Sequence, residues 1–288
     1  MTAVVPALLV LMSASGSSPA SPEQCGQDPS VMSIHEFVAC ARAGTERYRE
    51  HEAAVLDGYR RVGRDFPAMG EHWIRASLLF DGRFEPSRPE VLNYIVVDGK
   101  RALIGVGYAV PLLGGETAPG SPAGASAWHD HSRTIEDETV IPHHHAQSRG
   151  GSDGRLAMLH AWIWAPNPAG MFNADNWAIP FLRLNLSVGA NATSAAGKTL
   201  ALATGGRDYF EMAIEAAGAL SAEEKAAVTS AFNRAQAGAN LIVGTAEGRD
   251  LTDEERAQLG GIWTLFWTDI DAVLREEAKQ KLAHLPIR

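Results

Sequence analysis

Residues 91–111, VLNYIVVDGKRALIGVGYAVP, constrain the fold more than any other stretch, because two runs of β-branched and aromatic residues flank Asp98-Gly99. A type I′ turn needs φ > 0 at both central residues, and Asp-Gly meets that need at low steric cost. The stretch therefore predicts an antiparallel hairpin. A third strand is predicted for LAMLHAWIW, residues 156–164, ending at the Pro-Asn-Pro-Ala-Gly run. Alternation along that strand places Met158, His160, Trp162 and Trp164 on one face.

Helical patterns lie on both sides of these strands. From His35 to about Arg64, Phe37, Cys40, Ala41, Tyr48, Val55 and Tyr59 recur near helical spacing, which predicts one long N-terminal helix with Gly44 and Gly58 as its weak points. Beyond about residue 190 the chain turns rich in Ala, Glu and Lys, and Ser221 with Glu224 and Thr252 with Glu255 match the capping box that opens a helix. The expected architecture is α+β: a long N-terminal helix on a small antiparallel sheet, followed by a helical C-terminal region. The expected divisions are a leader at 1–20, an α+β domain at 21–185 and a helical region at 186–288 that shares its core.

The leader is read from MTAVVPALLVLMSASGSSPA, an apolar run passing into small polar residues, which resembles a secretory signal although it lacks Lys and Arg near its start. The run is too short for a permanent membrane span. Cys25 and Cys40, the two cysteines of the chain, follow it, and in an exported protein such a pair predicts a disulfide. A loop of that size adds about 3 kcal/mol in the chain-entropy treatment, so a stabilising role is expected. The net charge of -9, with no clustered Lys and Arg, excludes a general nucleic-acid binder.

Seven of the ten histidines, His72, His129, His131, His143, His144, His145 and His160, fall between residues 72 and 160. Imidazole is the commonest protein ligand of transition metals, and three or four converging rings bind copper or zinc tightly. His129 and His131, in WHDH, would point the same way in an extended segment; His160 would be the rigid strand ligand and His72 would close the site. The expected metal ligands are thus His72, His129, His131 and His160. For His143, His144 and His145, in a polar segment from 112 to 154, simple solvation is the favoured reading. Glu71 beside His72 and Glu90 at the start of the hairpin are the expected orienting groups or general base. Asp130, between two histidines of a strand, faces away from them. No pair has the H-E-x-x-H spacing of a zinc protease.

Two formal motifs fail on context. GGSDG, residues 150–154, matches G-x-S-x-G but precedes a strand where the nucleophile elbow must follow one, so Ser152 is a turn residue. GANATSAAGKT ends like a phosphate loop but has Ala192 where the first glycine should stand, so Lys198 and Thr199 belong to a helix start.

In MGEHWIR, RPEVLNY, GYAVP, AWHDH, MLHAW and the NPAGMF to DNWAIPF run, over roughly residues 45–185, the chain resembles a group of exported bacterial proteins of uncharacterised function. The resemblance implies that Met69 to Trp73, Glu90, His129 and His160 occupy shared motif positions. It also implies a Glu where this chain has Gly107, so that, if that Glu is a ligand there, the site here is altered or completed by another group.

The functional expectation is an exported protein holding one transition metal ion, copper ahead of zinc by the Irving–Williams order, as a copper-dependent oxidoreductase acting on a small molecule. A zinc-dependent hydrolase is the neighbouring alternative. A third is a non-catalytic module that binds an apolar ligand or partner protein through Trp162, Trp164 and Trp177, and a fourth is a scaffold whose histidines serve local hydrogen bonds.

Overall fold

A computed structural model describes residues 25–113, 115–131, 144–145, 155–189, 192–216, 220–283 and 287–288; the side chains of Asp130, His131, His144, His145 and Arg155 lie outside the description. The proposed leader at 1–20, His143 and the GGSDG segment also lie outside the described residues.

The hairpin forms as expected. Strands β3 (Val91–Val97) and β4 (Lys100–Leu112) pair antiparallel, and Asp98 and Gly99 take φ of 50° and 75°. They sit in a seven-stranded antiparallel sheet with β1 (Arg60–Phe66), β2 (Gly70–Ile74), β5 (His129–His131), β6 (His144–His145) and β7 (Arg155–Ala161), in the order β1-β2-β3-β4-β7-β5-β6. WHDH is therefore extended, and β7 ends three residues sooner than the sequence suggests. There Ile163 N–H donates back to the Ala161 carbonyl at 2.9 Å, so Trp162 and Trp164 part company.

The single long N-terminal helix is not found. Helix α1 (Ile34–Thr45) starts on a Ser33/Glu36 capping box, passes into a 3₁₀ turn at Glu46–Arg49, and is followed by the short α2 (His51–Leu56). Between them Glu50 is extended at φ -86° and ψ 104°, and Gly58 at φ +94° turns the chain into β1, where pairing to β2 overrides the helical pattern. Gly44, one expected weak point, lies inside α1. It permits a close backbone approach, since a Cβ there would stand 2.7 Å from Ser87 Cα.

These helices cover one face of the sheet. Phe37, Ala41, Tyr48 and Tyr59 pack with Leu92, Tyr94, Val106, Tyr108 and Leu159, so this face is closed to solvent. Cys25 and Cys40 are joined by the expected disulfide, with Cα atoms 5.4 Å apart.

The rest of the chain is helical: α3 (Ala76–Leu79) within the sheet region, then α4 (Ile179–Arg183), α5 (Ser194–Ala203), α6 (Arg207–Ala216), α7 (Ala222–Ala246), α8 (Asp253–Val273) and α9 (Glu276–Leu282). Both expected capping boxes open α7 and α8. Lys198 and Thr199 lie within α5, as their context required. These helices bury clusters of their own, one around Phe210, Phe232, Trp263 and Phe266, the other around Phe181, Leu200, Ala239 and Leu259. The first reaches the sheet through Ala68 and Trp177, and Asn176 N–H donates to the Ala68 carbonyl at 2.8 Å. Among the described residues no helix is long and apolar enough to cross a membrane.

Candidate functional site

The face of the sheet opposite α1 carries the histidines, and the strand register shows why they meet. His72 on β2 pairs with Asn93 on β3, Asn93 with Gly105 on β4, Gly107 on β4 with His160 on β7, and Met158 on β7 with His129 on β5. Directly paired residues share a face, so His72, Asn93, Gly105, Gly107, His160 and His129 form one band across five strands. The band lies between two apolar clusters: Met69, Ile95, Ile104, Trp162 and Ile179 on one side, and Val91, Ala109 and Met158 on the other. His160 and His129 are buried, and polar interactions there act in a medium of low dielectric.

Within the band the rings touch. His160 lies 5.6 Å from His72 and 5.1 Å from His129, centroid to centroid. The His72 and His160 rings meet although β3 and β4 stand between their strands. The two glycines of β4 let neighbours pack close on the strand: a Cβ on Gly107 would stand 3.0 Å from Val91 Cβ and 3.6 Å from His160 Cδ2, and one on Gly105 would stand 2.8 Å from Trp162 Cε3.

His160 is held in one tautomer. Its Nδ1 lies 2.9 Å from the Ala174 carbonyl oxygen, which can only accept, so Nδ1 carries a proton and in the neutral ring Nε2 is the lone-pair nitrogen. A backbone carbonyl bound to the far nitrogen is the usual means of orienting a metal-ligating histidine. The segment supplying it is itself fixed: Trp162 Nε1–H donates to Asn173 O at 2.6 Å, Asn167 Nδ2–H to Asp175 O at 2.9 Å, and Asn176 Nδ2–H to Pro166 O at 3.0 Å. Trp162 also meets the His160 ring edge to face at 5.4 Å.

The other expected site residues divide. The backbone of His131 stands in β5 opposite Leu156, while its side chain lies outside the described residues. The backbone of His145 pairs with that of His129, a register that the polar segment gave no sign of.

Glu71 belongs elsewhere. Adjacent strand residues face opposite ways, so it points away from His72, where it meets Arg61 Nη1 at 2.9 Å and Arg101 Nε at 2.7 Å and accepts from Trp73 Nε1 at 3.0 Å. Burial raises its pKa, but the hydrogen bonds from Arg101 and Trp73 and the Arg61 charge outweigh that and hold the carboxyl below its usual range. It is a structural anion and not a base beside the histidines.

Glu90 is likewise separate. Its carboxylate accepts from Ala109 N–H at 3.0 Å, and its charge is felt by Tyr59 and Tyr108, which belong to the core beneath α1 and α2. Burial, partly offset by the Ala109 bond, pushes its pKa up to about 8. That is the signature of a neutral buried acid.

The tryptophans do not make a common surface. Trp162 and Trp177 are buried in different clusters, and Trp164 lies on the opposite side of the sheet, its Nε1 donating to Thr45 Oγ1 at 3.1 Å.

Two features escaped the sequence reading. One is Asn93, wholly buried in the middle of the histidine band; a lone amide inside VLNYIVV was the signal, since Asn is uncommon in strands. The other is Asp175 with Lys198, both shielded from water where the 165–178 segment meets α5. Burial pushes Asp175 up to about 6 against the pull of Lys198, and pushes Lys198 down to about 8 against the pull of Asp175. Lys198 Nζ donates to the Arg288 carbonyl at 2.6 Å and lies over the Trp177 ring.

Among the described residues, no three His, Cys, Asp or Glu side chains already close on one point as ligands of a single ion. Comparison with protein families, with characterised proteins and with solved structures returned no match.

Proposed function

We propose that this chain is an exported protein that binds one transition metal ion through His160, His72 and His129. The observation that carries the reading is the Ala174 carbonyl on His160 Nδ1, which turns Nε2 into a fixed lone-pair donor with an imidazole on either side. Two imidazoles that share a tetrahedral ion have ring centroids about 5 Å apart, given metal–nitrogen bonds of about 2 Å. The two contacts to His160 are near that spacing. Binding then needs His72 and His129 to rotate toward a ring that is already held. Donors of this type rank copper ahead of zinc. Copper-dependent oxidation of a small molecule is the first activity to assay, and zinc-dependent hydrolysis the second. The Cys25–Cys40 disulfide supports export, because such bonds persist in oxidising compartments.

The test uses tag-free protein with Cu²⁺ and Zn²⁺ titrated separately and bound metal measured by mass spectrometry. About one equivalent is expected in the native chain, with affinity reduced at least roughly tenfold in His160→Ala while circular dichroism shows the fold retained. Equal binding by the two proteins would remove the site from the histidine band.

A further inference from the structure

Asn93 is completely buried, stands directly opposite His72 in the β2–β3 pair, and belongs to the strand that separates His72 from β4. Its amide orientation is fixed by chemistry. The group 3.2 Å from the Met69 carbonyl must be the NH₂, since a carbonyl oxygen only accepts. The geminal Oδ1 is buried and has no hydrogen-bond partner among the described residues. Leaving such an acceptor unmet costs about 1–3 kcal/mol, and polar groups buried without partners are uncommon unless a site uses them. Asn93 has His72 on one side and Gly105 of β4 on the other, with His160 beyond Gly107; Trp162 packs over Gly105 and Val91 beside Gly107, so the amide is enclosed within the band.

From this geometry we infer that Asn93 Oδ1 is a fourth donor atom of the histidine site, a neutral amide oxygen that meets the bound cation beside the three imidazoles. The inference rests on the metal reading and adds to it the composition of the donor set: three nitrogens and one uncharged oxygen, which leaves the full positive charge of the ion on the site. Such a site favours an anionic or readily ionised fourth or fifth ligand, so the substrate class is a small molecule that coordinates through an oxygen anion, such as a phenolate, an enolate or a carboxylate.

Asn93→Asp and Asn93→Ala distinguish a donor from a structural amide. An aspartate keeps the oxygen and adds a charge toward the cation, whereas it loses the NH₂ that bonds Met69 O; alanine removes both. With the full tag-free chain and Cu²⁺ alone as the probe, Asn93→Asp is expected to bind roughly tenfold or more tightly and Asn93→Ala roughly tenfold more weakly than the native protein. The Cu²⁺ electron paramagnetic resonance spectrum of Asn93→Asp is expected to shift in g and hyperfine splitting as a carboxylate replaces the amide. A purely structural Asn93 would lower stability in both variants and leave the dissociation constant within twofold and the spectrum unchanged, which overturns the inference. If Asn93→Ala does not fold, the affinity and spectrum of Asn93→Asp decide. Loss of binding in His160→Ala with unchanged binding in both Asn93 variants defeats the oxygen donor alone; no binding by the native chain defeats the metal reading and this inference together.

Discussion

Gly197→Ala is expected to lower the stability of the protein by about 3 kcal/mol and to weaken metal binding at a site it does not touch. A methyl group on Gly197 of α5 would collide with the Trp177 carbonyl oxygen and stand 2.9 Å from Trp177 carbonyl carbon and Cβ, and backbone cannot swing aside as a flexible side chain would. Trp177 lies three residues beyond Ala174, whose carbonyl sets the His160 tautomer, and its ring is stacked on Phe210 of α6 at 5.8 Å. Pushing that segment off α5 therefore lengthens the bond that orients Nε2. Gly261→Ala in α8 is the control: nothing lies within 4 Å of its added Cβ, so it should be neutral or stabilise by up to about 1 kcal/mol through helix propensity. Chemical denaturation of both variants, with Cu²⁺ titration of each, measures the two effects. Equal stability of Gly197→Ala and the native chain would show that α5 and the 165–178 segment are not packed as described.

The contrast between these two glycines illustrates what can be read from a sequence and what cannot. Local chemistry was legible: Asp98-Gly99 named its turn, Ser221/Glu224 and Thr252/Glu255 named two helix starts, and Cys25 and Cys40 named a bond. Alternation was legible in the strand that carries His160, but His72 was expected to close the site from a turn, and it is the strand Gly70–Ile74 that puts it on the same face as His160 and His129. The rule of alternation applies equally to Glu71, which adjoins His72 and so faces Arg61 and Arg101 on the other side of the sheet. Glu90 failed for a different reason. Which face a residue joins just before a strand depends on the tertiary packing, and here the packing buries it near Tyr59 and Tyr108. The N-terminal region failed because helical periodicity in residues 60–66 is weaker than the five registered pairs that β1 makes with β2. The connection between β1 and β2 has no dipeptide such as Asp98-Gly99 to mark it as a hairpin turn. The Ala174 carbonyl was beyond reach altogether, since a backbone atom carries no sequence identity.

Glu90→Gln is expected to flatten the pH dependence of stability. The buried carboxyl keeps its proton to about pH 8 in the folded chain, against 4.5 as its ordinary value. Between those values the folded state binds a proton that the unfolded state has released, so stability falls as pH rises. The contribution is fully present below pH 4.5, declines through the interval and is lost above about pH 8. At 1.36 kcal/mol for each unit, the whole effect is at most about 5 kcal/mol, which is large beside the net stability of a domain. Asp175, raised to about 6, adds a smaller loss of the same sign below that pH, and Lys198, lowered to about 8, restores stability only above pH 8. The difference between native chain and variant isolates Glu90. Glutamine retains an oxygen for the Ala109 N–H and has no proton to lose, so the two proteins should be most alike near pH 5, with the variant ahead by a few kcal/mol at pH 8. Denaturant midpoints at half-unit steps from pH 5 to 9 measure this. Parallel curves for the two proteins would mean that Glu90 is ionised in the folded chain at neutral pH and has a counter-charge beneath the sheet, which would return it to the candidates for a general base.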